Sequence, residues 1–100
     1  MPLKKGHVLV IPKVEVDYIF DMDDELYVGL QLFAKKVANA MKKVISCKRI
    51  GVAVIGLEVP HTHIHLIPLE TVADINFGAP KLSFEKEEMK RVALSIASEL

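Results

Sequence analysis

Tryptophan is absent from this chain, and cysteine occurs once, at Cys47. A single thiol excludes an internal disulfide and any Cys-x-x-Cys zinc or redox pair. It reads as a small packed residue in a reducing compartment. Excess charge of either sign is missing too, since 13 basic residues balance 13 acidic ones. That balance gives no field for nucleic acid or an anionic membrane. The local cluster Lys42, Lys43, Lys48 and Arg49 reads as a solvated helix end. Long apolar runs are lacking; stretches such as Val52 to Ile55 are strand-sized. No hydrophobic core of a signal peptide stands behind Lys4 and Lys5. The expectation is a cytoplasmic protein that engages neither nucleic acid nor membrane. Repeats and low-complexity stretches are absent as well.

What is there is apolar and patterned. Of the 100 residues, 51% are hydrophobic, enough for one core in one domain and too few for two. His7 to Ile11 reads as a buried strand closed by Pro12. Val14 to Phe20 is a connection with room for a second short strand. Asp21 is expected to cap a long helix, with Asp23, Asp24 and Glu25 in its first turn, where negative charge suits the helix dipole. Leu26, Leu30, Phe33, Val37, Met41 and Val44 follow at helical spacing and form one apolar stripe, read as core or dimer interface. Ile50 to Ile55 reads as a buried strand ended by Gly56, and His61 to Ile67 as another after Pro60. A loop around Gly78 and Pro80 leads to Ser83, which can cap a last helix with Glu85, Glu87 and Glu88 in its first turn. Met89, Val92, Ala93, Ile96 and Leu100 share a face of that helix. The short connection Gly56 to Pro60 favours an antiparallel pair. The expected class is α+β, an antiparallel sheet with a long helix and a C-terminal helix packed on one face.

All four histidines fall in two places, His7 and the set His61, His63 and His65. Strand side chains alternate faces, so His61, His63, His65 and Ile67 are expected to point one way, and Thr62, Ile64 and Leu66 the other. Three readings compete for such a row. It can be a set of satisfied polar residues on a half-buried face, which is costly without partners. Neutral imidazoles at these spacings can share a zinc or copper ion. Or one imidazole can act as a covalent nucleophile, with its neighbours fixing its tautomer.

The stretch Gly56-Leu57-Glu58-Val59-Pro60-His61-Thr62-His63-Ile64-His65-Leu66-Ile67-Pro68 resembles the histidine-triad (HIT) motif, His-x-His-x-His followed by two apolar residues. Lys5-Gly6-His7-Val8-Leu9-Val10-Ile11-Pro12-Lys13 resembles that family's Gly-His strand signature. Both stand in the family's order with its long helix between them, and the resemblance covers essentially the whole chain. It implies a nucleotidyl hydrolase or transferase acting at the α-phosphate of adenosine phosphoramidates or dinucleoside polyphosphates. By position, His63 would be the nucleophile and form a nucleotidyl-histidine that water resolves. The backbone carbonyl of His61 would accept a bond from the His63 ring, leaving the other ring nitrogen nucleophilic. His65 would contact the phosphate or the bridging atom, and His7 would extend the imidazole network from the neighbouring strand. This chemistry needs no metal and no cofactor.

The match departs from the family's pattern before the triad. Gly56-Leu57-Glu58 stands where a glycine, a glutamine and a hydroxyl residue are common, and no asparagine occurs between Arg49 and Ile55. Glu58 can act as an acid or be an exposed loop carboxylate. Gly56, Glu58, Leu9 and Ile11 are the candidate substrate-binding positions, with core packing the favoured role for Leu9 and Ile11. The reading is one HIT-like domain over residues 1–100, without the family's N-terminal segment, working as a homodimer on an adenosine-type nucleotide. A nucleotide-binding module without turnover and a metal-binding histidine cluster remain the alternatives.

Overall fold

A computed structural model of the chain describes residues 6–57, 59–75 and 86–100. Its sheet has three strands, β1 (Val8–Val10), β2 (Arg49–Ala53) and β3 (Ile64–Leu69), in the order β1-β3-β2. Both pairings are antiparallel, with Leu9 opposite His65 and Ala53 opposite the same histidine. The central strand β3 thus carries His65 between two neighbours. Helix α1 (Asp24–Val44) joins β1 to β2, and α2 (Lys86–Ser98) follows β3. Short 3-10 turns occupy Ile19–Asp21 and Val72–Ile75. The α+β class expected from the pattern is the one observed.

The helix starts later than its acidic run suggested. Asp21 closes the first 3-10 turn, and Asp23 is the cap: its carboxylate accepts from the Leu26 backbone N–H at 2.8 Å. Asp24 and Glu25 then fill the first turn and Lys42 and Lys43 the last, so both ends suit the helix dipole. The buried face of α1 is Leu30, Ala34, Val37, Ala40 and Met41. Phe33, expected on that stripe, is half exposed, and the small residues Ala34 and Ala40 take the inner positions instead. Small side chains let the helix backbone approach the sheet, which the larger Phe33 would prevent.

The core lies between α1 and one face of the sheet. Val10, Ile64 and Leu66 meet Leu30, Val37 and Met41 there, and Ile96 of α2 closes one end. Met41, Ile64 and Leu66 have no exposed surface, and each such side chain contributes about 1.5–3 kcal/mol by leaving water. The first two strands are not buried on both faces as their apolar content suggested. Leu9 and Ile11 are about half exposed on the side of the sheet away from the core, and Val52 is more than half exposed although it stands opposite the buried Leu66. In α2 only Ile96 is buried, while Met89, and Leu100 just past the helix, remain half exposed. The expected Ser83 cap and the loop around Gly78 and Pro80 lie outside the described residues.

Candidate active site

The histidine segment begins before the sheet does. The β3 ladder starts at Ile64, paired with Val10, so His61, Thr62 and His63 are not strand residues as the pattern suggested. Only His65 sits within the strand. The alternation survives nonetheless: Thr62, Ile64 and Leu66 are buried, and His61, His63 and His65 are half-buried on the other side. Extended backbone keeps the period of two without ladder bonds.

Hydrogen bonds to the chain after β1 and one local bond hold this lead-in segment. Thr62 N–H donates to the Val16 carbonyl at 2.7 Å, and His61 N–H to the Val59 carbonyl at 2.9 Å. The His61 ring donates from Nε2 to the Pro12 carbonyl at 3.1 Å. That ring is therefore turned onto the segment after β1. Among the described residues, no set of at least three His, Cys, Asp or Glu side chains is arranged to hold one metal ion.

His63 is oriented by its own turn. Its Nδ1 lies 2.8 Å from the His61 carbonyl oxygen. A carbonyl can only accept, so Nδ1 carries the proton, and in the neutral ring Nε2 keeps its lone pair. This is the bond the resemblance implied. The edge of one ring meets the face of the other between His63 and His65, with centroids 4.8 Å apart. His65 in turn shares a proton with His7, Nδ1 to Nε2, across 3.0 Å. His7 reaches that position because Gly6 precedes it at φ 87°, a left-handed turn that glycine adopts without steric cost. Three imidazoles are thus linked in a row, His7–His65–His63, with the lone-pair nitrogen of His63 at one end. The row can deliver an electron pair from His63 and relay a proton between His65 and His7.

The remaining expected positions divide. Leu9 lies on the imidazole face, directly opposite His65, and Ile11 is two residues further along the same chain segment. Both are half exposed, and their neighbours Val8 and Val10 pack into or against the core instead. The core packing expected of Leu9 and Ile11 is thereby overturned. Gly56, at φ 73°, lines a cavity of about 310 Å³ with Tyr18, Phe20, Tyr27 and Thr62, and no histidine lines it. The structure brings the histidines and Leu9 to one face, and Gly56 lines its cavity beside Thr62, the residue between His61 and His63. Leu57 is 88% exposed, and Glu58 lies outside the described residues. Sequence reasoning missed the part played by Thr62, whose signal was a hydroxyl at an inward position in an otherwise apolar alternation.

A family model described as HIT domain matches residues 1–72. The chain belongs to the histidine triad family. Among curated HIT relatives, an uncharacterized HIT-like protein of Borreliella burgdorferi is 34% identical over 104 residues, covering 96% of this chain and 75% of that protein. An adenosine 5′-monophosphoramidase of Saccharomyces cerevisiae is 35% identical over 68 residues, covering 67% of this chain and 43% of that enzyme. Among solved structures, a HIT-like protein of Bartonella henselae, described as involved in cell-cycle regulation, superposes with a TM-score of 0.81 at 28% identity. That superposition covers all of this chain and 75% of the other. The antiparallel sheet with its helices is therefore the HIT fold, and HIT relatives of this chain include named nucleotide hydrolases.

Proposed function

We propose that this HIT protein hydrolyses a nucleotide at its α-phosphate, with an adenosine phosphoramidate or dinucleoside polyphosphate as substrate and His63 as the nucleophile. The observation that carries the proposal is the 2.8 Å bond from His63 Nδ1 to the His61 carbonyl. It leaves Nε2 unprotonated and aimed by the backbone rather than by a mobile side chain. In the first step Nε2 bonds to phosphorus, and the bond from phosphorus to the leaving group breaks. The leaving group departs with the electron pair and takes a proton. In the second step water attacks phosphorus and gives up a proton, which restores the one spent on the leaving group, while the P–N bond breaks and its electrons return to His63. A phosphorylated imidazole leaves readily, so one difficult displacement becomes two easier ones.

His65 and His7 supply the mobile proton. Their shared bond at 3.0 Å supports proton delivery to the leaving atom or to a phosphate oxygen as charge develops there. Leu9 and Ile11, half exposed on the imidazole side, offer apolar contact for an adenine base. The yeast relative named as a phosphoramidase supports the phosphoramidate as the first substrate to try. No metal takes part in these steps.

We further propose a homodimer. Val28 and Leu32 of α1 and Val52 of β2 are all more than half exposed, more apolar surface than a lone small domain usually leaves in water.

The deciding experiment is cleavage of a fluorogenic adenosine 5′-phosphoramidate by the purified chain with EDTA present, beside His63→Ala. Turnover that survives EDTA and vanishes with His63 is expected. Binding of AMP without cleavage would replace the hydrolase with a nucleotide-binding module, and Leu57 in place of a phosphate-binding amide would then be the first suspect.

A further inference from the structure

Thr62 is the one buried polar side chain among the described residues, at 1% exposure. It occupies an inward position followed by Ile64 and Leu66, both fully buried. The pattern of that face calls for an apolar residue, and valine has nearly the same shape. A hydroxyl buried there costs free energy unless it is bonded. It is bonded: Oγ1 lies 2.7 Å from the Val16 carbonyl and 3.2 Å from the Asp17 carbonyl. The residue's own N–H donates to the Val16 carbonyl as well, at 2.7 Å.

These bonds fall where the sheet provides none. The ladder begins at Ile64, so the backbone carrying the His61 carbonyl is held outside it, by the Thr62 hydroxyl and by the backbone N–H groups of His61 and Thr62. Thr62 is bonded directly to that carbonyl carbon, and His63 follows it. The position of the His61 oxygen, and with it the proton on His63 Nδ1, depends on how firmly Thr62 is tied down.

We propose that Thr62 is a positioning residue: its hydroxyl, bound to the Val16 and Asp17 carbonyls, fixes the His61 carbonyl and so selects the Nδ1–H tautomer of His63. The inference rests on the proposed nucleophilic role of His63, and its physical core is separable from that role. Without the hydroxyl the His61 oxygen drifts, His63 samples its other tautomer, and a ring protonated on Nε2 has no lone pair for phosphorus. Substrate contacts made by other residues stay as they were.

The test combines kinetics with a direct reading of the ring. Thr62→Val removes the hydroxyl at nearly constant shape, and the Val16 carbonyl still receives the backbone N–H. Its kcat is expected to fall about 10- to 100-fold, the scale of a small misplacement of a reacting group, with KM unchanged. Thr62→Ser keeps the hydroxyl and is expected to retain nearly wild-type kcat. Imidazole ¹⁵N shifts report which ring nitrogen of His63 bears the proton. They should show Nδ1–H in the wild type and Thr62→Ser, and a mixture in Thr62→Val well below its melting temperature. A purely structural threonine would lower the melting temperature and leave the tautomer alone. If Thr62→Val does not fold, Thr62→Cys, of similar size and with only a weak donor, is read in the same way. A wild-type tautomer and wild-type kcat in the hydroxyl-free variant would overturn the proposal. Should the wild-type chain cleave nothing, the hydrolase reading fails by itself, while the tautomer measurement still decides for or against Thr62.

Discussion

At the scale of single residues, three histidines differ in what their loss should do. His63→Ala removes the nucleophile, and we expect turnover to drop by about 10³-fold or more. Its melting temperature should stay near wild type, because the ring is half-buried on the face away from the core. Full activity in that variant would end the assigned mechanism. His65→Ala breaks the link between His63 and His7, and a loss of about 10²-fold in kcat is expected. His61→Ala should cost least, since His63 is oriented by the His61 backbone and the His61 ring bonds only to the Pro12 carbonyl in the contacts seen. Steady-state kinetics on the three variants give the order directly; a His61 variant weaker than the His65 variant would show that the Pro12 bond matters more than the proton relay.

At the scale of elements, the long helix and the central strand set the site by different means. Helix α1 holds the sheet through Leu30, Val37 and Met41 and depends at its start on the Asp23 carboxylate. Asp23→Ala is expected to cost about 1 kcal/mol. For a chain of this size that lowers the melting temperature by about 4–8 °C. Calorimetry measures it, and kcat should not move, because the cap touches nothing in the imidazole row. An unchanged melting temperature would mean that Asp24 or Asp21 takes over the cap. The central strand contributes register. A slip of one residue would turn His65 into the core and Leu66 out of it, so the buried Ile64 and Leu66 are what aim the histidines outward.

At the scale of the whole molecule, the uncovered apolar face of α1 and β2 bears on assembly. Sedimentation velocity at micromolar concentration should show a dimer, and Leu32→Lys, which puts a charge on a residue 61% exposed, should shift it toward monomer. A wild-type monomer at that concentration would remove the dimer proposal and leave the imidazole geometry untouched, since every bond in the row lies within one chain. Among the described residues, no helix is long and apolar enough to cross a membrane.

The sequence by itself determined the class, the order of elements and which residues make up the histidine face. Alternation along residues 61–66 separates the histidines from Thr62, Ile64 and Leu66 whether or not ladder bonds form, because it is a property of extended backbone. Local signals were weaker where several residues could serve. Asp21 and Asp23 are equally good caps in sequence, and only the 3-10 turn at Ile19–Asp21 decided between them. Phe33 matched the helical spacing as well as Ala34 did, and the closeness of helix to sheet chose the smaller residue. The exposure of Leu9 and Ile11, the placing of Gly56 on a cavity with Tyr18, Phe20 and Tyr27, and the tie of Thr62 to Val16 were decided by tertiary structure. Each depends on a partner more than ten residues away in the chain, whose distance no local pattern contains.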